Sequence, residues 1–72
     1  MNTYYIAELQ NRNSYRKAEK IDAETLTAAK RVAVRQQVFQ GSVLEIGTTV
    51  SSQGFIENPI AIRENGRWME PV

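Results

Sequence analysis

The sequence predicts an α+β domain: one helix packed on one face of an antiparallel sheet of about five strands, in the order β-β-α-β-β-β. Three observations predict it. One stretch, 22–41, has helical periodicity with signals at both ends. Short runs on either side of it alternate apolar and polar residues or are rich in β-formers. The chain closes on an Asn65-Gly66 pair between two such runs, a strong hairpin signal. Seventy-two residues make a single domain, 1–72, and a core of that size is marginal.

Residues 3–9, TYYIAEL, read as the first strand. Tyr5, Ala7 and Leu9 point one way and Tyr4, Ile6 and Glu8 the other, and the pattern does not decide which side is the core. Residues 10–14, QNRNS, read as a turn, because Asn and Ser side chains bond locally to the backbone. Residues 16–21, RKAEKI, return as a second strand whose charges suit a sheet edge.

The helix follows over 22–41, DAETLTAAKRVAVRQQVFQG. Asp22 is the expected N-cap, Glu24 favours the positive end of the helix dipole, and Ile21 and Leu26 have the spacing of a hydrophobic staple. Gly41 is the expected left-handed terminator. Leu26, Ala29, Val32, Ala33, Gln36 and Phe39 share one broad face, and its alanines let a helix lie close to a sheet. Arg31 and Arg35 stand on the opposite side, one turn apart, and Lys30, Val34 and Gln37 run along one flank.

Residues 42–46, SVLEI, form the third strand, with Leu44 and Ile46 on one face. Residues 47–58 are polar and glycine-punctuated and read as a long loop with Phe55 and Ile56 tucked down. Residues 59–72 form a hairpin around a type I′ turn at Asn65-Gly66, which sets Glu64 opposite Arg67, Arg63 opposite Trp68, and Ile62 opposite Met69. The expectation is that Ile60, Ile62 and Met69 join the core. Arg63 and Trp68 then emerge on the other face, the guanidinium over the indole in a contact worth ~0.5–1 kcal/mol. The alternative topology pairs the third strand in parallel through the helix, giving a mixed sheet.

Composition narrows function. The chain has no cysteine and no histidine, so it lacks thiolate chemistry, the commonest general base and the usual metal ligand. There is no Ser/His/Asp set, no phosphate-binding glycine loop and no metal-ligand cluster. The expectation is a protein that is not an enzyme and needs no cofactor or metal. No apolar run approaches the ~20 residues of a membrane span, and no signal-peptide pattern opens the chain. A cytoplasmic protein without a membrane partner is therefore expected. The net charge of +1 hides an asymmetry: residues 12–35 carry +4 and residues 36–72 carry −2. A locally basic half can approach nucleic acid or an acidic protein surface. The candidate binding features are the basic helix ridge, the asparagine-rich first loop and the Arg63–Trp68 pair, a common interface hot-spot composition.

The runs YYIAELQNRNS, IDAETLTAAKRVAVRQQVFQGSVLEI and AIRENGRWME, in that order and spacing, resemble the ninth family of type I-F anti-CRISPR proteins, small phage and mobile-element inhibitors. The resemblance covers most of 4–70. It implies an antiparallel five-stranded sheet with one helix, and an inhibitor that acts by binding the backbone subunits of a type I-F RNA-guided surveillance complex. Target DNA is then blocked from hybridising, and non-specific double-stranded DNA is recruited to the inhibited complex. It implies that Asn13 and Gln37 hold the protein partner, and that Lys30, Arg31 and Arg35 serve DNA, with Lys30 near enough the flank to touch the partner as well. Arg63 and Trp68 complete the expected partner surface. The loop 47–58 is longer than the family's connection and reads as an insertion. The alternative function is a small phage or plasmid DNA-binding regulator using the basic helix face.

Overall fold

The computed structural model describes residues 1–10 and 15–70. Along the chain lie β1 (Asn2–Leu9), β2 (Tyr15–Ala23), α1 (Leu26–Arg35), β3 (Val43–Gly47), β4 (Thr49–Val50), β5 (Ile56–Glu57), β6 (Ala61–Glu64) and β7 (Arg67–Met69). Five of the strands form one sheet, ordered β2-β1-β3-β6-β7, and every pairing in it is antiparallel. The mixed-sheet alternative fails because β3 lies beside β1, not β2. The helix crosses one face, as the sequence predicts.

The core lies between that face and α1. It contains Tyr4 and Ile6 of β1, Ala23 of β2, Ala29 and Ala33 of α1, Leu44 and Ile46 of β3, and Ala61 of β6. Ala29 and Ala33 are 0% and 1% exposed, so the small face of the helix does lie close against the sheet. Leu44 and Ile46 fill the space beneath it. This also decides the question β1 left open: Tyr4, Ile6 and Glu8 face the helix.

The helix is shorter than the sequence predicts at both ends. Asp22 does not cap it. It remains in β2 opposite Thr3, whose hydroxyl donates to its carboxylate at 3.2 Å. The ladder with β1 holds this backbone extended through Ala23, and the cap passes to Thr25, whose hydroxyl accepts from the Ala28 N–H at 3.1 Å. Ile21 and Leu26 both pack on the core, but Leu26 is the first helical residue, so the staple spacing is lost. At the other end the helix stops at Arg35 because the N–H groups of Val38 and Phe39 turn to the Glu8 carboxylate instead of continuing the helical ladder. Gly41 has φ +77°, as expected of it, but it serves a turn in which the Ser42 N–H donates to the Phe39 carbonyl.

The C-terminal hairpin has the predicted turn and register. Asn65 and Gly66 both have positive φ, as a type I′ turn requires, and the three cross-strand pairs fall as expected. Its faces are inverted. Ala61 sits opposite Ile46 and Arg63 opposite Leu44, so Ala61, Arg63 and Trp68 are on the helix side. Trp68 packs against the core, whereas Met69 is 50% exposed on the opposite face beside Ile62. Ile60 alone of the three expected core residues of this hairpin packs against the core. Beneath α1 there is room for an alanine at position 61, and apolar bulk misleads as a guide to which face is buried.

Residues 47–58 are not a plain loop. They build a separate hairpin, β4–β5, folded onto the face opposite α1. It seats on Gly47, where an added Cβ would collide with Ile56 Cγ2. It also seats on β2, where two residues, Lys17 and Ala18, stand opposite the single Ala7. The Ala18 N–H freed by this bulge donates to the Gly54 carbonyl at 3.0 Å, and Tyr15 and Phe55 stack with ring centroids 5.0 Å apart.

Candidate functional site

The site begins with a buried charge. Glu8 follows Tyr4 and Ile6 on the inner face of β1 and is 2% exposed. Its carboxylate accepts from the Val38 N–H (3.0 and 3.1 Å), the Phe39 N–H (2.6 Å), the Ser42 hydroxyl (2.7 Å) and Arg16 Nη1 (3.3 Å). Burial alone would push its carboxyl pKa up. The two backbone donors, then Ser42 and Arg16, outweigh burial and hold it below the usual carboxylate range. Arg16 also donates to the Gln36 carbonyl at 2.8 Å and pairs with Glu19 at 3.2 Å. The segment 36–42 that leaves the helix is therefore shaped by a strand residue far away in the chain. It presents Val38, 63% exposed, at the surface.

Gln37 lies in this segment, beyond the helix end and not in its last turn. Its amide nitrogen donates to the Phe39 carbonyl and to the Ser42 hydroxyl, both at 3.1 Å, and its oxygen accepts from Arg63 Nη1 at 3.5 Å. The Gln37 amide thus ties the 36–42 segment to β6. The guanidinium expected over the indole is engaged here instead. The cation over the Trp68 ring is Lys30, 5.6 Å from its centroid, and the Lys30 ammonium also pairs with Glu70 at 3.1 Å.

These contacts join four of the expected partner residues into one half-buried strip along the seam between α1 and the C-terminal hairpin. Lys30 lies on Trp68, Trp68 is cross-strand from Arg63, and Arg63 reaches Gln37. Asn13 lies outside the described residues. Arg31 and Arg35 are exposed, and with Thr27, Lys30, Val34 and Trp68 they line a shallow groove beside the strip. Its floor is apolar and its rim cationic. Arg31 and Arg35 present two guanidinium forks one helical turn apart, suited to phosphate or carboxylate. The Lys30 ammonium differs from them in already having partners, Glu70 and the indole.

Glu8 escapes sequence reasoning, although one signal for it exists. A lone charge in period-two register with Tyr4 and Ile6 sits on the core face once that face is known. Arg16 escapes as well, since nothing local distinguishes it from a solvated edge residue.

No family profile matches the chain, and no curated protein does. Among solved structures, AcrIF9 superposes on it with a TM-score of 0.74 at 38% sequence identity, over 99% of this chain and 87% of that one.

Proposed function

The chain belongs to the AcrIF9 family of type I-F anti-CRISPR proteins, and from that premise we propose that it inhibits by docking on the backbone subunits of the type I-F surveillance complex, where it obstructs pairing of guide RNA with target DNA. The similarity to AcrIF9 over the whole chain carries this reading. In the described residues no helix is long and apolar enough to cross a membrane.

The physical chemistry supports a steric wedge over a nucleic-acid mimic. Guide and target pair in a channel lined with positive charge, and a mimic would need an acidic surface. This chain has a net charge of +1. In our reading the strip of Lys30, Trp68, Arg63 and Gln37 grips protein, Asn13 is a further partner contact, and Arg31 and Arg35 attract duplex DNA to the inhibited complex. Gln37 acts by holding the 36–42 segment in shape, because its amide is already engaged. Two guanidinium groups supply about two phosphate contacts. DNA attraction is therefore weak for the protein alone, with a salt slope of only about −2.

The experiment is calorimetry and DNA capture with a purified type I-F complex. Arg31→Ala/Arg35→Ala should abolish most DNA recruitment, lower the salt slope by about 2, and leave affinity for the complex intact. Trp68→Ala should weaken binding to the complex by ~1–3 kcal/mol. The assignment of roles is reversed if the double arginine variant loses the complex while the Trp68 variant keeps it. Tight DNA binding by the isolated protein at ~0.2 M salt would favour a DNA-binding regulator instead.

A further inference from the structure

On the side of the sheet opposite α1, the β4–β5 hairpin covers the half around Gly47, and the other half carries no further element among the described residues. The register lines up Ala7, Glu45, Ile62 and Met69 across four strands, with Leu9 and Val43 in the adjacent row. Leu9, Val43 and Ile62 are half-buried and Met69 is half-exposed. These side chains make an apolar band with one carboxylate in its middle. Glu45 is half-buried, its cross-strand neighbours are Ala7 and Ile62, and no hydrogen bond or ion pair to its carboxylate occurs among the described residues. Burial raises its carboxyl pKa. Glu8, the other carboxylate of the sheet interior, has all its oxygens engaged; Glu45 has none. An unpaired charge in apolar surroundings destabilises the free fold and is compensated when a partner brings the opposite charge.

We propose that this bare half of the sheet is a second docking surface, and that its occupant is a basic protein segment that places a Lys or Arg on Glu45 while its apolar side chains cover Leu9, Val43, Ile62 and Met69. Charge complementarity selects this occupant. A second copy of the chain, docked face to face about a two-fold axis, would bring two unpaired Glu45 carboxylates together in an apolar contact. Nucleic acid would set phosphate against the same carboxylate. The surface lies across the sheet from the Lys30–Trp68–Arg63–Gln37 strip, so both can be occupied at once. The inference rests on the reading that the chain binds a type I-F complex, whose protein surfaces beside guide RNA supply basic segments.

The test measures binding of wild type, Glu45→Gln and Glu45→Lys to a purified type I-F complex by calorimetry. Oxidative footprinting of Met69, free and bound, accompanies it. Glu45→Gln should weaken binding ~10-fold and Glu45→Lys ~100-fold, since each leaves a desolvated cation of the partner unpaired or opposed. Met69 should become protected in the wild-type complex. Thermal melts should show Glu45→Gln folded, because it removes a charge that has no partner. Wild-type protein that fails to bind the complex overturns the anti-CRISPR reading together with this inference. Wild-type protein that binds, with Glu45→Lys binding equally well and Met69 still reactive, overturns the inference alone. Sedimentation that shows wild-type protein pairing through this face, tightened by Glu45→Gln, assigns it to a second copy and overturns the inference too.

Discussion

Replacing Glu8 by Gln isolates the interaction that joins the sheet to the segment after the helix. Four donors converge on the carboxylate, and the closest, the Phe39 N–H at 2.6 Å and the Ser42 hydroxyl at 2.7 Å, share one oxygen. An amide that keeps its oxygen there retains both. Its NH2 then takes the place of the other oxygen, which faces Arg16 at 3.3 Å and half of the forked Val38 N–H bond. One guanidinium contact becomes donor against donor, the Val38 bond weakens, and two charge-assisted bonds become neutral ones. A buried donor left short costs about 1–3 kcal/mol, and neutralising a charge-assisted bond roughly halves it. Arg16 is partly exposed and recovers water, which favours the lower half of that range. The expected loss is ~2–4 kcal/mol, against a total of ~5–15 kcal/mol for a domain and the lower end of that for so small a one. At ~4–8 °C per kcal/mol, Tm should fall by ~8–32 °C. Urea and thermal unfolding followed by circular dichroism give the magnitude, and hydrogen exchange at Val38 and Phe39 gives the location. A loss below ~0.5 kcal/mol, the range of ordinary surface changes, with both amides still protected, would refute the account of Glu8 as the anchor of 36–42.

Two further predictions follow from the same chemistry of the sheet. The Glu8 carboxyl titrates lower in the fold than in the unfolded chain, so its contribution is complete above the ordinary carboxylate range and is lost as pH falls through its depressed folded value. Glu45 has the opposite sign: its contribution is complete below the ordinary range and is lost as pH rises through its raised folded value. Urea midpoints across acid pH should therefore show a flatter acid limb in Glu8→Gln than in wild type and higher neutral-pH stability in Glu45→Gln; unchanged profiles would assign the acid limb to other carboxylates. Gly47→Ala should displace Ile56 and cost ~1–3 kcal/mol, with faster amide exchange in β4 and β5. Wild-type exchange in that variant would mean that the β4–β5 hairpin does not seat on Gly47.

Much of the fold is written in local chemistry. Asn65-Gly66 dictates turn and register because a type I′ turn accepts few other pairs, and the alternation in 42–46 places Leu44 and Ile46 correctly. The errors arise where distant groups compete for the backbone. The ladder with β1 keeps Asp22 in a strand, and Glu8 removes Val38 and Phe39 from the helix. The inverted hairpin face has the same origin: Ile60 and Ile62 outweigh Ala61 in apolar area, yet the tight helix contact selects the alanine. At the site, the sequence sets Lys30 and Gln37 on one flank of the helix and Arg63 opposite Trp68, but it puts the two pairs on opposite sides of the sheet. It does not show that Lys30, rather than Arg63, takes the indole. That choice depends on Glu70 and on which side of the sheet the hairpin presents.

The sheet order has a consequence for how the domain assembles. β1–β2 and β6–β7 are hairpins whose strands meet soon after one another in the chain. β3 reaches β6 past a hairpin that folds on itself. The pairing of Tyr5–Leu9 with Val43–Gly47 is different: it must close the whole helix and both of its flanking segments before the first bond forms. Chain-closure entropy makes such a long-range seam slow to form, and local pieces are ready before it. The Glu8 clasp closes at this seam, bringing together residues about thirty positions apart in the same step that unites the two halves. Until that happens, β1 and β3 each have an unsatisfied edge facing the other, and the segment carrying Gln37 has no shape. Completion of the fold and preparation of the proposed grip on the partner are one event, so a chain caught short of it exposes aggregation-prone strand edges and has nothing yet to bind with.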